Sequence, residues 1–306
     1  MIGFCINMIL VSFFVFGLLR MVPGDAAANI MGQDATPENL ELFREEHGLN
    51  GSFLDQYLRW AGGILQGDFG KSLWSHTSVT SEFMSRLPIT LEIVILSFTF
   101  TLVMGITAGI MSALRQNSIS DLSIRVFAIF GLAVPQFLLL TLLLIVPARM
   151  FGYAPPFGAT DPFADPVSNL QLFIPPTLLL SIGSAAVLMR FTRSGFLEVL
   201  RQDYIRTARA KGLEERVITL RHAFRNALPP VLTLAGLQLG GLLSGSIILE
   251  VVMGLPGLGV WTIDALDNKD VPVVMIVSLY SAVVLMTINL VIDLSYGLID
   301  PRIRFE

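Results

Sequence analysis

The chain has 306 residues, 53% of them hydrophobic and 14% charged, with a net charge of −4 and a mean hydropathy of +0.70. Soluble domains carry about a quarter charged residues, so these values exclude an ordinary soluble domain and indicate a polytopic membrane protein. The single cysteine, Cys5, excludes an intrachain disulfide and a cysteine metal cluster.

The apolar residues gather into six runs, 1–19, 93–114, 126–148, 171–189, 231–251 and 271–292, which contain no Asp, Glu, Lys or Arg except Glu250. At about 1.5 Å per helical residue each run matches a hydrocarbon core about 30 Å thick. Barrel strands would be about ten residues long with alternating polarity. The expected fold is therefore an all-α polytopic membrane protein with six transmembrane helices.

The first run lacks a basic leading segment and a convincing cleavage site, so residues 1–21 read as an anchor helix rather than a signal peptide. Residues 22–87 carry nine carboxylates against four bases, which suits an exoplasmic segment. Within it, Thr36 followed by Pro37 and Glu38 starts a helix that Gly48 stops. Ser52 with Asp55 starts a second helix, whose Leu54, Tyr57, Leu58, Ala61 and Leu65 form an apolar stripe. These helices either cap an outer vestibule for a binding partner or pack as a lid on the chain itself.

Residues 88–297 hold the other five spans. Pro135 should kink the third span, and Gly236, Gly240, Gly241 and Gly245 allow close helix approach along the fifth. Gln136, Gln238, Ser244 and Asn289 are candidates for lining a water-filled path for a zwitterionic cargo, although polar groups at helix contacts look the same in sequence. Glu92, Glu250 and Asp293 sit at span ends, where contact with water is the simpler reading.

Basic residues set the orientation. Segments 114–123, 193–228 and 298–306 hold eleven of them and the alternate segments six. Both termini, including the tail 298–306, are therefore expected in the cytoplasm. No carboxylate, His or Lys lies near the middle of a span, which disfavours an ion-driven carrier. An intramembrane protease needs a Ser with a His base or paired Asp residues, yet the three histidines are His47, His76 and His222, all outside the runs. Gly70, Lys71 and Ser72 resemble the end of a phosphate-binding loop, but Leu65 stands where that loop needs its first Gly.

The most polar stretch is "DYIRTARAKGLEERVITLRHAFRNALPP". Leu213, Val217, Leu220, Phe224 and Leu228 repeat with helical spacing, as do Leu197, Leu200, Tyr204 and Ala208 upstream. Two short helices should thus meet at Gly212 in a left-handed turn, which costs a non-glycine residue about 1 kcal/mol or more. Pro229 and Pro230 mark the entrance to the fifth span. The product is a basic helix-turn-helix, a shape suited to docking a protein. Retention of the loop inside, or contact with anionic lipid, would not need so tight an elbow.

"RTARAKG" followed by "RHAFRNALPP" resembles the EAA loop of ATP-binding-cassette importer permeases, in the form used by the dipeptide, oligopeptide, glutathione and nickel group. Pro229 lies 17 residues after Gly212, one helical turn more than the generic family pattern and unlike the sugar-type permeases. "MVPGD" after the first span, "GDFGKS", "GLPGLG" and "DPRIR" agree in order, so the likeness runs nearly end to end. The resemblance implies a type I importer permease fold in a bacterial or archaeal cytoplasmic membrane. It implies a channel-forming subunit for di- or oligopeptides, glutathione, nickel or a similar small solute. Its partners would be a second homologous permease, two cytosolic ATPases that bind the ATP and Mg, an extracytoplasmic solute-binding protein and membrane lipid, with no nucleic acid. Carried onto this chain, Arg206, Thr207, Ala208, Lys211, Gly212, Leu213 and Glu214 would contact the ATPase. No residue is expected to be catalytic or to bind metal.

Overall fold

The computed structural model describes residues 2–21, 35–46, 51–153 and 162–299. The helix stop at Gly48, residues 22–25 of "MVPGD", the "DPRIR" segment and the side chain of Asp293 lie outside the described residues. Among those described the chain is helical, and the sole extended pairing is one bridge between Lys71 and Ser78.

In chain order the helices are α1 (Ile2–Met21), α2 (Pro37–Glu46), α3 (Phe53–Leu65), α4 (Val79–Leu114), α5 (Ile119–Ala133), α6 (Gln136–Phe151), α7 (Pro166–Leu200), α8 (Asp203–Ala210), α9 (Glu215–Val217), α10 (Phe224–Met253), α11 (Leu258–Asp267) and α12 (Val271–Ile299). A π-helical turn, Ile218–Ala223, joins α9 to α10. Val79–Leu114, Pro166–Leu200, Glu215–Met253 and Val271–Ile292 are each long and apolar enough to cross a membrane, and α5 with α6 makes a fifth span if that bent pair is one crossing. The apolar part of α1, Ile6–Leu18, is shorter than these. The 35 residues of α7 reach about 52 Å, well beyond a hydrocarbon core of about 30 Å.

The third span is broken rather than kinked. Its two halves meet at 94°, because Val134 is extended (φ −87°, ψ 125°) and Pro135 is too (φ −60°, ψ 133°). A residue before proline is pushed out of the α region. Two successive extended residues then end one helix and begin another.

The contacts divide the chain into two compact units, Met1–Thr90 with Pro256–Met286, and Leu91–Leu255 with Thr287–Glu306. In the first unit α1 and α3 share an aromatic cluster of Phe13, Phe16, Phe53, Tyr57 and Trp60, and the Ser12 and Tyr57 hydroxyls are 2.9 Å apart. Ser52 caps α3 as expected, accepting from the Asp55 amide at 3.2 Å. The buried face of α3 differs from the expected stripe. Tyr57 is buried, but Leu54, Leu58 and Leu65 are exposed and Gln56 is buried instead, because the aromatic residues of α1 select the neighbouring face.

A second core in this unit joins Val79, Phe83, Leu258, Ala265, Val273 and Val277, and Thr90 Oγ1 accepts from the Leu258 amide at 2.8 Å. The "GDFGKS" segment is a turn with Gly67 at φ 78° and Gly70 at φ 82°. Ser72 is buried there, donating to Asp270, while the Leu73 amide donates to the same carboxylate at 3.0 Å. That turn is a structural clasp.

In the second unit α7 is central, packed by α5, α6 and α10. Small residues let α4 approach α7 closely: a Cβ on Gly109 would lie 2.6 Å from the Cβ of Thr192, and one on Gly105 2.8 Å from the Cβ of Leu188. Among the glycines expected to mediate contact along α10, Gly236 meets Ile292 and Gly245 meets Leu180, whereas Gly241 has nothing within 4 Å. Glu250 is fully buried, not water-facing as its place near a span end suggested. Glu92 is half-buried and accepts from Asn169 Nδ2 at 3.2 Å.

Candidate functional site

The polar stretch forms an elbow. The α8 helix ends at Ala210, and Gly212 follows at φ 77°. The Gly212 amide donates to Arg209 O at 2.9 Å and the Leu213 amide to Ala208 O at 3.4 Å, the paired closing bonds of a Schellman turn. Space is not what demands glycine, since a Cβ there meets nothing within 4 Å. The left-handed backbone does.

Beneath the elbow lies a buried cluster of Ala113, Phe196, Ile205, Ala208, Ile218, Ala223 and Ala227. Of the expected stripe of the second helical piece, Phe224 packs against this cluster, but Leu213, Val217 and Leu220 do not enter it. Ile218 and Ala223 are both fully buried although five residues apart, and the π-helical turn between them makes this possible. That turn shifts the buried face, leaving Leu213, Val217 and Leu220 at 41%, 37% and 56% exposure. The second piece is also no separate short helix, because it runs on through Pro229 and Pro230, which lie inside α10.

Side chains fasten the elbow further. Arg209 Nε and Nη2 donate to the two oxygens of Glu215 at 2.7 and 3.3 Å. That hydrogen bond and the attraction behind it hold the Glu215 carboxyl below the usual glutamate range and raise Arg209. Asn226 Nδ2 donates to the Tyr204 hydroxyl at 3.0 Å and to His222 O at 2.8 Å, tying α8 to α10. Arg206 lies 3.4 Å from Asp203, and the Thr207 hydroxyl donates to Asp203 O at 3.0 Å.

Of the seven residues carried over to this loop, Arg206, Thr207, Lys211, Gly212, Leu213 and Glu214 are exposed, while Ala208 is buried in the loop's own core. The elbow is thus a cross-braced knob with an apolar and basic outer face.

The four path candidates separate into two kinds. Gln136 Nε2 donates to Leu180 O at 3.1 Å and Gln238 Nε2 to Ser184 O at 3.3 Å. Those acceptors are four residues apart, one turn along one face of α7, so both glutamines bind helices together. Ser244 and Asn289 are exposed, and the Ser244 hydroxyl donates to Gly240 O at 3.2 Å.

Asp121 escaped sequence reasoning. Fully buried, it accepts from Ser112 Oγ, from the Asn117 amide at 3.0 Å and from Arg193 Nε and Nη2 at 2.9 and 3.0 Å, with Arg125 Nε at 3.4 Å. The cap that Ser118 provides for the Asp121 amide, at 3.2 Å, follows a recognisable Ser-x-x-acid pattern. The partner 72 residues away has no local signature.

A profile described as "Binding-protein-dependent transport system inner membrane component" matches residues 105–305, and its N-terminal companion matches residues 1–94. Glutathione transport system permease protein GsiC of Escherichia coli (strain K12) is 38% identical over 306 residues, covering 100% of this chain and 97% of that protein. The protein of the same name from Shigella dysenteriae serotype 1 (strain Sd197) matches equally.

Among solved structures, the inward-facing MetNI methionine ABC transporter aligns with a TM-score of 0.55 at 19% identity, covering 71% of this chain and 96% of that chain. An amino acid ABC transporter with histidines aligns at 0.53 and 20%, covering 70% and 92%. At such identities these two attest the fold alone. With the end-to-end match and the helical knob together, the chain belongs to the binding-protein-dependent transport system inner membrane component family, as the multi-pass permease subunit of an ATP-binding-cassette importer.

Proposed function

We propose that this permease imports a di- or oligopeptide or a peptide-like solute such as glutathione by alternating access, with the elbow of residues 206–214 as its contact to a cytosolic ATPase. The assembly would hold a second homologous permease, two ATPases and one extracytoplasmic binding protein. Six spans, α1 and the α5–α6 pair each counted as one, would place both termini and the elbow in the cytoplasm and residues 22–87 outside.

The observation that carries the reading is the knob itself. A protruding turn transmits force only if its base does not yield, and here Ile205, Ala208, Ile218 and Ala223 anchor the base in the permease while Leu213, Val217 and Leu220 remain outside. Exposed apolar residues rimmed by charge are the composition of a docking surface. The 38% identity to a glutathione permease supports a peptide-like cargo, because glutathione is itself a small peptide.

The test is reconstitution of the permease pair with its ATPases and binding protein in vesicles. Uptake of labelled glutathione or dipeptide should require internal ATP, survive collapse of the proton gradient and fail without the binding protein. Uptake of nickel in place of peptides would move the cargo to the nickel branch. Gradient-driven uptake without ATP would overturn the reading.

A further inference from the structure

In the second unit α4, α5 and α7 leave an apolar groove of about 520 Å³, walled by Met104, Met111, Ile124, Phe127, Ile182 and Met189. Phe127 and Met111 are 57% and 49% exposed. All three helices belong to stretches long and apolar enough for the membrane, so the groove falls within the apolar length of the chain.

Helical register places three arginines beyond one end of the groove. Arg115 lies just past the end of α4, its amide bonded to Met111 O at 3.2 Å, and Arg193 lies one turn beyond Met189 on α7. Arg125 follows Ile124 on α5. Asp121 is the one acid in this group, already taking Arg193 in two bonds and Arg125 in a longer one. Three guanidiniums against one carboxylate leave an excess of two positive charges. Among the described residues no acid pairs with Arg115.

The geometry points to a binding site for one anionic glycerophospholipid, with an acyl chain in the groove and the phosphate at Arg115 and Arg125. Arginine forks match phosphate oxygens, and basic pockets between transmembrane helices are known to hold acidic headgroups. Methionine walls adapt to a flexible chain. A protein helix laid in the groove would have to supply acids against the same excess or leave those charges buried in hydrocarbon, which is costly. The arginine end is the end from which α7 continues to the elbow, so the lipid sits beside the Asp121 hub that braces it. This site rests on the proposed orientation only for its leaflet, which the elbow's side makes the inner one.

The experiment uses the intact complex in neutral detergent, with dioleoyl phosphatidylglycerol or dioleoyl phosphatidylcholine added and retained lipid read by native mass spectrometry. Neither cargo nor ATP is needed, so failure here leaves the transport reading standing. Phosphatidylglycerol should be retained in preference to phosphatidylcholine. Arg115→Gln with Arg125→Gln should weaken that preference roughly ten-fold or more. Arg115→Gln alone changes an exposed residue, so the fold should hold, as an unchanged melting temperature would verify, and it should weaken the preference in part. Ala108→Phe, which fills the groove, should displace the lipid. Equal retention of both lipids, an undiminished preference in the double variant, or a cross-link from Phe127→Cys to the second permease would overturn the proposal.

Discussion

Arg193 grips both oxygens of Asp121, at 2.9 and 3.0 Å, across 72 residues of sequence and with the carboxylate wholly buried. Ser112 and the Asn117 amide bind the same group. One side chain thus joins the end of α4, the start of α5 and the last turns of α7, from which the elbow departs. Removing one member of a buried pair leaves a charge without compensation and costs about 3–5 kcal/mol. Asp121→Asn should lower the melting temperature of the detergent-purified complex markedly. Asp121→Leu combined with Arg193→Met should lower it less, because the pair then leaves together. Equal loss in both would mean that the ion pair is not what holds these helices.

Gly212 supports a prediction about backbone alone. A Cβ there would meet nothing, yet φ is 77°, which costs an ordinary residue about 1 kcal/mol or more and a β-branched one more again. Gly212→Asn should retain most uptake, since Asn tolerates the left-handed region. Gly212→Val should lose it while membrane insertion stays normal. Similar uptake in both variants would remove the turn from the coupling mechanism.

Glycines on the long helices differ in the same testable way. Gly109 stands where a Cβ would lie 2.6 Å from Thr192 Cβ and 2.8 Å from Met189 O, while Gly241 has nothing within 4 Å. Overpacking a tight contact costs about 1–3 kcal/mol. Gly109→Ala should therefore lower the melting temperature of the complex, and Gly241→Ala should leave it unchanged or raise it slightly through helix propensity. A sequence pattern of glycines treats these positions alike.

What was legible in the sequence follows from range. Four of the spans, or five with the bent α5–α6 pair, the Ser52 cap and the left-handed Gly212 depend on neighbours within a turn or two, and these are present. The buried faces of α3 and of the second elbow helix were legible only in part, through Tyr57, Ala61 and Phe224, because tertiary partners chose the rest. Phe16 of α1 drew in Tyr57 and Trp60, and the π-helical turn rotated Ile218 and Ala223 inward past Val217 and Leu220. The 94° break at Val134 and Pro135 exceeds the kink that one proline implies because both residues are extended. The bonds of Gln136 and Gln238 to carbonyls of α7 have no signature in the spacing of polar residues.

The Arg209–Glu215 pair makes a pH prediction whose sign is fixed by the carboxylate. Glu215 is held below its ordinary value of 4.5, first by the hydrogen bond from Arg209 and then by its charge. A depressed acid contributes its stability above the unfolded value and loses it as pH falls through the folded one, so the contribution is constant from pH 7 to about 5 and is lost progressively below 4.5. Both side chains are substantially exposed, so the effect is small and sensitive to salt. Amide hydrogen exchange across residues 211–214, corrected for intrinsic rate, should show extra protection in wild type over Glu215→Gln at pH 6. That difference should shrink progressively as the pH falls below 4.5. A difference that grows on acidification would reverse the assignment.

The docking face and its support are separable by two substitutions. Leu213 is exposed on the knob, whereas Ala208 is buried in the cluster beneath it, although both fall in the segment that would meet the ATPase. Leu213→Asp places a charge on the outer face, where the residue is 41% exposed, so the melting temperature of the isolated permease should fall only slightly while ATPase co-purification falls strongly. Ala208→Trp must instead displace Phe196 or Ile218 from a packed site, which costs about 1–3 kcal/mol or more, so it should lower stability and ATPase retention together. Arg216→Gln, a change of one exposed charge, should do little in detergent free of anionic lipid. Retention of the ATPase by the Leu213→Asp variant, with loss confined to charge removals, would return the loop to the role of a lipid-bound or topological signal.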